Sequence, residues 1–280
     1  MSGKPFFSVI IPSLNEEKYL PTLLSSLSKQ TYRDFELIVV DGKSDDKTIL
    51  VFNKYKNLMP HAFLYTSEKR NVSYQRNLGG QKAKGKYLIF LDADVDVGQT
   101  FLEELHIAAI KQKFQLATTW VVPDSKRPID QMMMLLANLG TEIAKGVNKP
   151  FVGGYNTIVR KDVFLRLKGF REEIRIGEDQ DFAIRAKEKN ISFEILKEPH
   201  LTFSLRRFRA RGTLNIVRKL AQVEIHHLTR GPITSELFDY PMGGHVHKVK
   251  SKRQINLAKF NTYIHGIKKL ERKLTHLLLE

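Results

Sequence analysis

Five short apolar runs, rich in β-branched and aromatic residues, are spaced through the first 122 residues so that a helix fits into each gap: FFSVIIP (6–12), FELIVV (35–40), AFLYT (62–66), KYLIFL (86–91) and QLATTWVV (115–122). Runs this continuous belong to strands covered on both faces, the condition of a parallel sheet wrapped by helices. The gaps agree with that reading. Leu20, Leu23, Leu24 and Leu27 share one helical face with Asn15 placed to cap it, and further helices are expected near 46–56, 71–83 and 99–112. The predicted class is α/β, a mostly parallel central sheet flanked by helices. At 280 residues, 42% of them hydrophobic, the chain can bury one large core and carry an appendage.

After Pro123 the alternation breaks up. A Met/Leu-rich helix over 129–145, the pair Gly153 and Gly154, and a helix opened by GEDQDF (177–182) suggest a second subdomain packed on the first. Met133, Met134, Leu135 and Leu136 are expected to face the core of that helix packing. From about 212 the chain reads as a basic helical extension. Residues 201–280 hold 16 Lys and Arg against 5 Asp and Glu, whereas residues 1–200 hold 30 against 25. In 254–278, Leu257, Phe260, Ile264, Ile267, Leu270, Leu274 and Leu277 recur at steps of three and four, with Lys259, Lys268, Lys269, Arg272 and Lys273 mainly between them. Such a helix suits an anionic membrane surface, or it packs on protein.

The chain has no cysteine, which removes disulfides and thiolate metal sites. Its amino end lacks the pattern of a signal peptide, and no apolar run reaches the ~18 residues of a membrane span. The expected location is cytoplasmic and peripheral, on the inner face of the cell membrane. The basic tail leaves a nucleic-acid-binding protein as an alternative, although no recognition motif for DNA or RNA is present.

Acidic residues sit just past two strand ends, at Asp41 and at Asp92, and open α/β sheets bind ligands along that edge. In LDADVD, side chains two apart on an extended backbone point the same way, so Asp92 and Asp94 can converge on one ion. Oxygen ligands of this kind favour Mg²⁺ or Mn²⁺, with phosphate oxygens and water completing the shell. The same acids also suit a turn at a helix start. Arg206, Arg207, Arg209 and Arg211 crowd into SLRRFRARG, and arginine grips phosphate through paired donors. His226, His227, His245 and His247 are too irregularly spaced to read as a metal site.

FSVIIPSLNE, VVDGKSDDKT, SYQRNLGGQKAKGKYLIFLDAD and GGYNTIVRKDVFLRLKGFREEIRIGEDQDFAIRAKEKN occur in that order. Together they resemble the family-2 glycosyltransferases, inverting enzymes of GT-A fold, over residues 6 to about 210. The resemblance implies a Rossmann-like GT-A domain over 1–211, with 1–122 as its nucleotide-sugar half and 123–211 as its acceptor and catalytic half, followed by the extension 212–280. It implies a nucleotide diphosphate sugar as donor, a cell-envelope or lipid-linked glycan as acceptor, and Mn²⁺ or Mg²⁺ as cofactor. By position, Asn15, Glu16, Asp41, Arg76 and Asp92 fall to the donor, and Asp92 and Asp94 to the metal. Asp179, after Glu178, stands where inverting members keep the catalytic base. From the residues themselves, Gly153 and Gly154, which permit close backbone approach, and Glu178 are expected at the acceptor, and Arg206 and Arg207 at the phosphate of the donor or of a lipid-linked acceptor.

Plainer roles remain open at each position: first-turn acids for Glu178, Asp179 and Asp181, turn residues for Asp41 and Asp46, a surface pair to Glu68 for Arg76. Lys43 stands where the family often has glycine, and Phe203 where some relatives carry a histidine; His200 is not expected to be a ligand. A sugar nucleotidyltransferase, which shares a related sheet, would begin on a glycine-rich loop, and IIPSLNEEKYL contains no glycine.

Overall fold

The computed structural model describes residues 3–146 and 151–213, with scattered positions between 215 and 244. Four of the five runs form β1 (Phe7–Ser13), β2 (Phe35–Asp41), β3 (Ala62–Thr66) and β4 (Tyr87–Leu91), which pair in parallel in the order β3-β2-β1-β4. Every residue of β1, β2 and β4 is buried. Alternation along the strands divides them between two cores: Val9, Ile11 and Leu37 face Leu20, Leu23, Leu24 and Leu27 of α1 (Leu20–Ser28), while Ile10, Ile38 and Val40 face the other way with Phe90, Phe164 and Phe182. Truncating any of these leucines to alanine is expected to cost about 2–5 kcal/mol.

Crossovers α2 (Thr48–Tyr55) and α3 (Val72–Lys82) complete the parallel half. The inner face of α3 is small and polar: Ser73, Gln75, Arg76, Gly79 and Gly80 are its buried residues. A Cβ on Gly79 would come within 2.4 Å of Ile10 Cγ2, and one on Gly80 within 2.5 Å of the Phe164 ring. The two glycines let α3 lie close on the sheet, and that approach carries Arg76 into the interior.

The second half does not form a separate layer. After β5 (Asp96–Val97) and α4 (Phe101–Gln112) come β6 (Leu116–Pro123), α5 (Pro128–Gly146), β7 (Asn156–Arg160), α6 (Lys161–Arg166), α7 (Glu178–Glu188), β8 (Phe193–Phe203) and α8 (Arg206–Arg211). β7 inserts between β4 and β6, antiparallel to both, and β8 runs parallel to β6 with β5 on its outer edge. The expected second subdomain is therefore corrected: its strands extend the same sheet to eight. The helix at 129–145 is present as α5, but Leu135 and Leu136 are exposed and only Met134 of the four residues expected in the core is buried. Nor does Asn15 cap α1, which begins at Leu20 behind Tyr19.

Contacts divide the chain into Met1–Lys248 and Val249–Glu280. The basic helix expected over 254–278 lies outside the described residues. Among the described residues no helix is long and apolar enough to cross a membrane.

Candidate active site at the strand ends

Two loops leaving β1 and β2 are stitched together by side chains. Asn15 takes a left-handed backbone (φ 54°), gives its backbone N–H to Ser44 Oγ at 2.8 Å and accepts the Asp45 N–H on Oδ1 at 2.7 Å. Asp41 is fully buried and accepts both the N–H (2.8 Å) and the hydroxyl (2.6 Å) of Ser44. Its carboxylate shapes the loop, which is the turn role left open by the sequence. Lys43 in this loop has φ 61°, a conformation glycine adopts freely, which explains why glycine suits the position. Asp46 accepts from Thr48 at the start of α2, a capping role.

The D-x-D segment is not extended. β4 ends at Leu91, and Asp92 to Asp94 form a turn, so the two carboxylates do not share a strand face. Instead each is held by a different arginine. Arg76, from α3, donates to Asp92 Oδ1 at 2.9 Å and to Glu178 Oε1 at 2.6 Å, with its guanidinium 5.5 Å from the centre of the Phe170 ring. It is 2% exposed, which corrects the surface pairing with Glu68, and its Nε carries no partner. Arg206, from α8, donates from Nε to Asp94 at 2.7 Å and from both terminal nitrogens to Glu16 at 2.6 and 2.8 Å, stacked 4.2 Å from the Tyr19 ring.

Asp179 enters from the first turn of α7, after Gly177 in the left-handed region (φ 84°). Its Oδ2 accepts the Gly154 N–H at 2.7 Å and its Oδ1 its neighbour Gln180 N–H at 2.8 Å. A Cβ on Gly154 would fall 2.4 Å from Arg76 Nη2, and one on Gly153 2.4 Å from the Tyr155 ring. The glycine pair is a close-packing requirement that sets Arg76, Asp179 and the 153–155 backbone against one another. One arginine thus joins the D-x-D turn to the Glu178–Asp179 pair.

Burial dominates the electrostatics. It pushes Glu178 and Asp179 above the usual carboxylate range; repulsion from Asp179 adds to the effect on Glu178, and the Arg76 charge opposes it on both. Asp94 is pushed up to about 7, first by burial, then by Asp92 and Glu16, against the pull of Arg206. Arg207 is half-buried within reach of the Asp92 and Asp94 charges, and burial lowers its pKa. A half-buried acid whose proton affinity is raised is suited to take a proton from a hydroxyl.

Among the described residues no group of three or more His, Cys, Asp or Glu could by itself hold a metal. The oxygen-only chemistry of Asp92 and Asp94, with Glu16 close by and Arg206 supplying the present positive charge, does fit a hard cation that arrives with phosphate ligands of its own. His200 is exposed beside Glu198 at 2.9 Å, and His226 faces the Gly231 carbonyl at 3.1 Å. His227, His245 and His247 lie outside the described residues.

Three residues at this site were not singled out from the sequence. Tyr155, behind the glycine pair, packs 4.7 Å from Phe203, and its hydroxyl is raised by burial and by Asp179. Tyr19 supplies the ring under Arg206. Gly244 donates its N–H to Leu14 O at 3.1 Å, and a Cβ there would lie 2.5 Å from Glu16 Oε2. The doubled glycine at 243–244 was the available signal for the last of these.

Against known proteins, residues 8–167 match the model of glycosyl transferase family 2. TarS of Staphylococcus aureus, a poly(ribitol-phosphate) beta-N-acetylglucosaminyltransferase, is 30% identical over 190 residues, which is 64% of this chain and 32% of that protein. An uncharacterised glycosyltransferase of Haemophilus influenzae is 27% identical over 70% of this chain and 63% of its own length. The chain thus spans about a third of the first relative and just under two thirds of the second. Among solved structures, residues 1–349 of TarS with UDP-GlcNAc superpose at a TM-score of 0.59 with 25% identity, covering 71% of this chain and 58% of that one. The mannosyltransferase PcManGT of Pyrobaculum calidifontis, solved with GDP-Man and Mn²⁺, reaches 0.61 at 19% identity over 80% of this chain and 65% of its own, a likeness of fold. The curled sheet with Arg76, Asp92 and Asp179 gathered at its strand ends is a GT-A domain, and this chain belongs to glycosyl transferase family 2.

Proposed function

We propose that the chain is an inverting glycosyltransferase that moves a sugar from a nucleotide diphosphate sugar to a hydroxyl of a cell-envelope or lipid-linked glycan. The observation that carries this reading is the Arg76 bridge, which sets a proton-accepting carboxylate, Asp179, beside the D-x-D turn. In the proposed step the acceptor oxygen bonds to the anomeric carbon, its proton passes to Asp179, and the bond from that carbon to the diphosphate breaks. A single displacement of this kind inverts the centre. Asn15, Glu16 and the loop held by Asp41 form the nucleotide side, Arg76 and Asp92 the sugar side, and Gly153, Gly154 and Glu178 the acceptor rim. Arg206 and Arg207 neutralise phosphate.

Asp94 and Asp92 are the residues that would hold Mn²⁺ or Mg²⁺. Bound there with the diphosphate, the ion would act as a Lewis acid on the leaving group. The donor half is 1–122, the acceptor half 123–211, and the basic extension 212–280 faces an anionic cytoplasmic membrane surface. A UDP sugar and a phosphate-rich acceptor, those of TarS, suit a chain of net charge +16.

The test is a thermal-shift screen of nucleotide sugars with and without Mn²⁺, since a ligand bound to the folded state alone raises apparent stability. One donor is expected to stabilise the protein in a metal-dependent way, and Asp94→Asn to abolish the metal-dependent part while the fold persists through the Arg206–Glu16 pair. No shift with any donor would sink the reading.

A further inference from the structure

α5 is built inside out. Its inward residues are Asp130, Met134 and Asn138, and polar groups anchor it to the sheet. Val121 N–H donates to Asn138 Oδ1 at 3.0 Å, and Asn138 Nδ2 donates to Val121 O at 2.8 Å. Trp120 Nε1 donates to Glu142 at 3.0 Å, Lys145 pairs with Glu194 at 2.6 Å, and Asp130 is occupied by Arg127 and Ser125. The outward residues are Ile129, Met132, Leu135, Leu136, Leu139 and Ile143, from 41% to 67% exposed. At 100° per residue these six fall on one side of the helix. Of the exposed residues of α5, Gln131 alone is polar.

We infer that α5 is a membrane-contact helix, whose outward stripe inserts shallowly into an anionic lipid surface. The inference rests on the proposed function for its purpose, access to a membrane-side acceptor, and on α5 for its geometry. Charge favours lipid as the occupant: exposed Lys126 and Lys197 border the stripe, and the stripe contains no acid because Asp130 and Glu142 are turned to the protein. Lys126 is exposed just ahead of the helix, and at its flank Lys197 lies 5.2 Å above the ring of Trp120. A tryptophan and lysines bordering an apolar stripe match the headgroup level of a bilayer, with the stripe reaching ~5–10 Å deep.

Position supports the same occupant. Asp124, between β6 and α5, accepts the Leu205 N–H at 3.0 Å and Arg209 at 2.6 and 2.9 Å. The amino end of α5 is thereby tied to α8, which carries Arg206 and Arg207. A lipid surface under α5 lies beside the arginines that face the site.

The test uses the whole chain, vesicles of phosphatidylcholine with and without phosphatidylglycerol, and the double variant Leu136→Glu, Ile143→Glu. Both positions are exposed, so the variant is expected to keep the wild-type melting temperature and its stabilisation by nucleotide sugar. Wild type is expected to sediment with the phosphatidylglycerol vesicles, and emission of Trp120, the single tryptophan, to be quenched by brominated lipid. The variant should partition roughly tenfold or more weakly. A variant that binds as tightly as wild type overturns the inference, because the basic tail would then suffice. So does a wild type that ignores the vesicles, or one that sediments as a dimer which the variant dissolves. Loss of donor stabilisation in wild type would instead strike the proposed function, so the two failures are told apart.

Discussion

Two arginines divide the D-x-D turn between them, and they do so on different terms. Arg76 comes from a helix pressed on the sheet by Gly79 and Gly80, is closed off on all sides, and binds Asp92 together with Glu178. Arg206 comes from the six-residue helix α8 and binds Glu16 together with Asp94, whose side chain keeps 17% of its surface exposed. The first cluster is framework whose charge also acts on Asp179, the proposed base. The second is a charge balance in which Arg206, with Arg207 in reach, stands against three carboxylates, Glu16, Asp92 and Asp94. On the proposed metal site, a fixed cation and an exchangeable one stand on either side of a two-residue step in the chain.

The largest effect is expected on breaking the fixed side. Arg76→Met leaves Glu178 buried without its partner, and removing one member of a buried pair costs about 3–5 kcal/mol. Circular dichroism melts should show a large fall in Tm that Mn²⁺ does not restore; an unchanged Tm would show that Arg76 is not framework. Next comes the base. Asp179→Asn keeps its bond from Gly154 but cannot accept a proton, so turnover should fall ~10²- to 10⁴-fold in a product assay while donor affinity by calorimetry is kept. Because burial raises Asp179 and the base must be ionised, wild-type activity should be lost as pH falls through a value above the ordinary carboxylate range. A pH profile with its acid limb at an ordinary aspartate value would contradict that environment.

The smallest effect sharpens the exchangeable side. Arg206→Ala leaves both Glu16 and Asp94 without their partner; its Tm is expected to fall less than that of Arg76→Met, because burial raises the proton affinity of both acids and partly exposed Asp94 can hold a proton near neutrality. Melting curves should show Mn²⁺ stabilising this variant more than wild type, since the ion no longer competes with a guanidinium. Equal stabilisation of both would mean that Arg206 and the metal do not share a place.

Within the parallel half, β1, β2 and β4 were legible because they are buried on both faces and so read as unbroken apolar runs; β3, partly exposed at the end of the sheet, also fell where the sequence put it, at 62–66. β7, NTIVR, and β8, FEILKEPHLTF, were not, since short polar-ended or mixed segments carry no such pattern. Periodicity found α5 but not its direction. A stripe at steps of three and four says that one face is apolar, and whether that face meets the core depends on Asn138 and Glu142, whose bonds to β6 no local pattern announces. In the site, the acids and Arg76 were visible as an ordered set of motifs. Arg206 was visible as well, in a crowded arginine run, but its pairing with Glu16 was not, because nothing in one loop specifies its counter-ion across the fold.

That pairing has a consequence in time. Glu16 and Arg206 are 190 residues apart in sequence. At ~5–20 residues per second on a ribosome, the acid is made on the order of 10–40 s before the cation that will balance it. β1, with the loop carrying Glu16, therefore exists first as half of an ion pair. The counter-charge of Glu16 is made only after all the named strands, so a nascent chain can assemble its sheet from β1 to β4 long before it is able to close its charge.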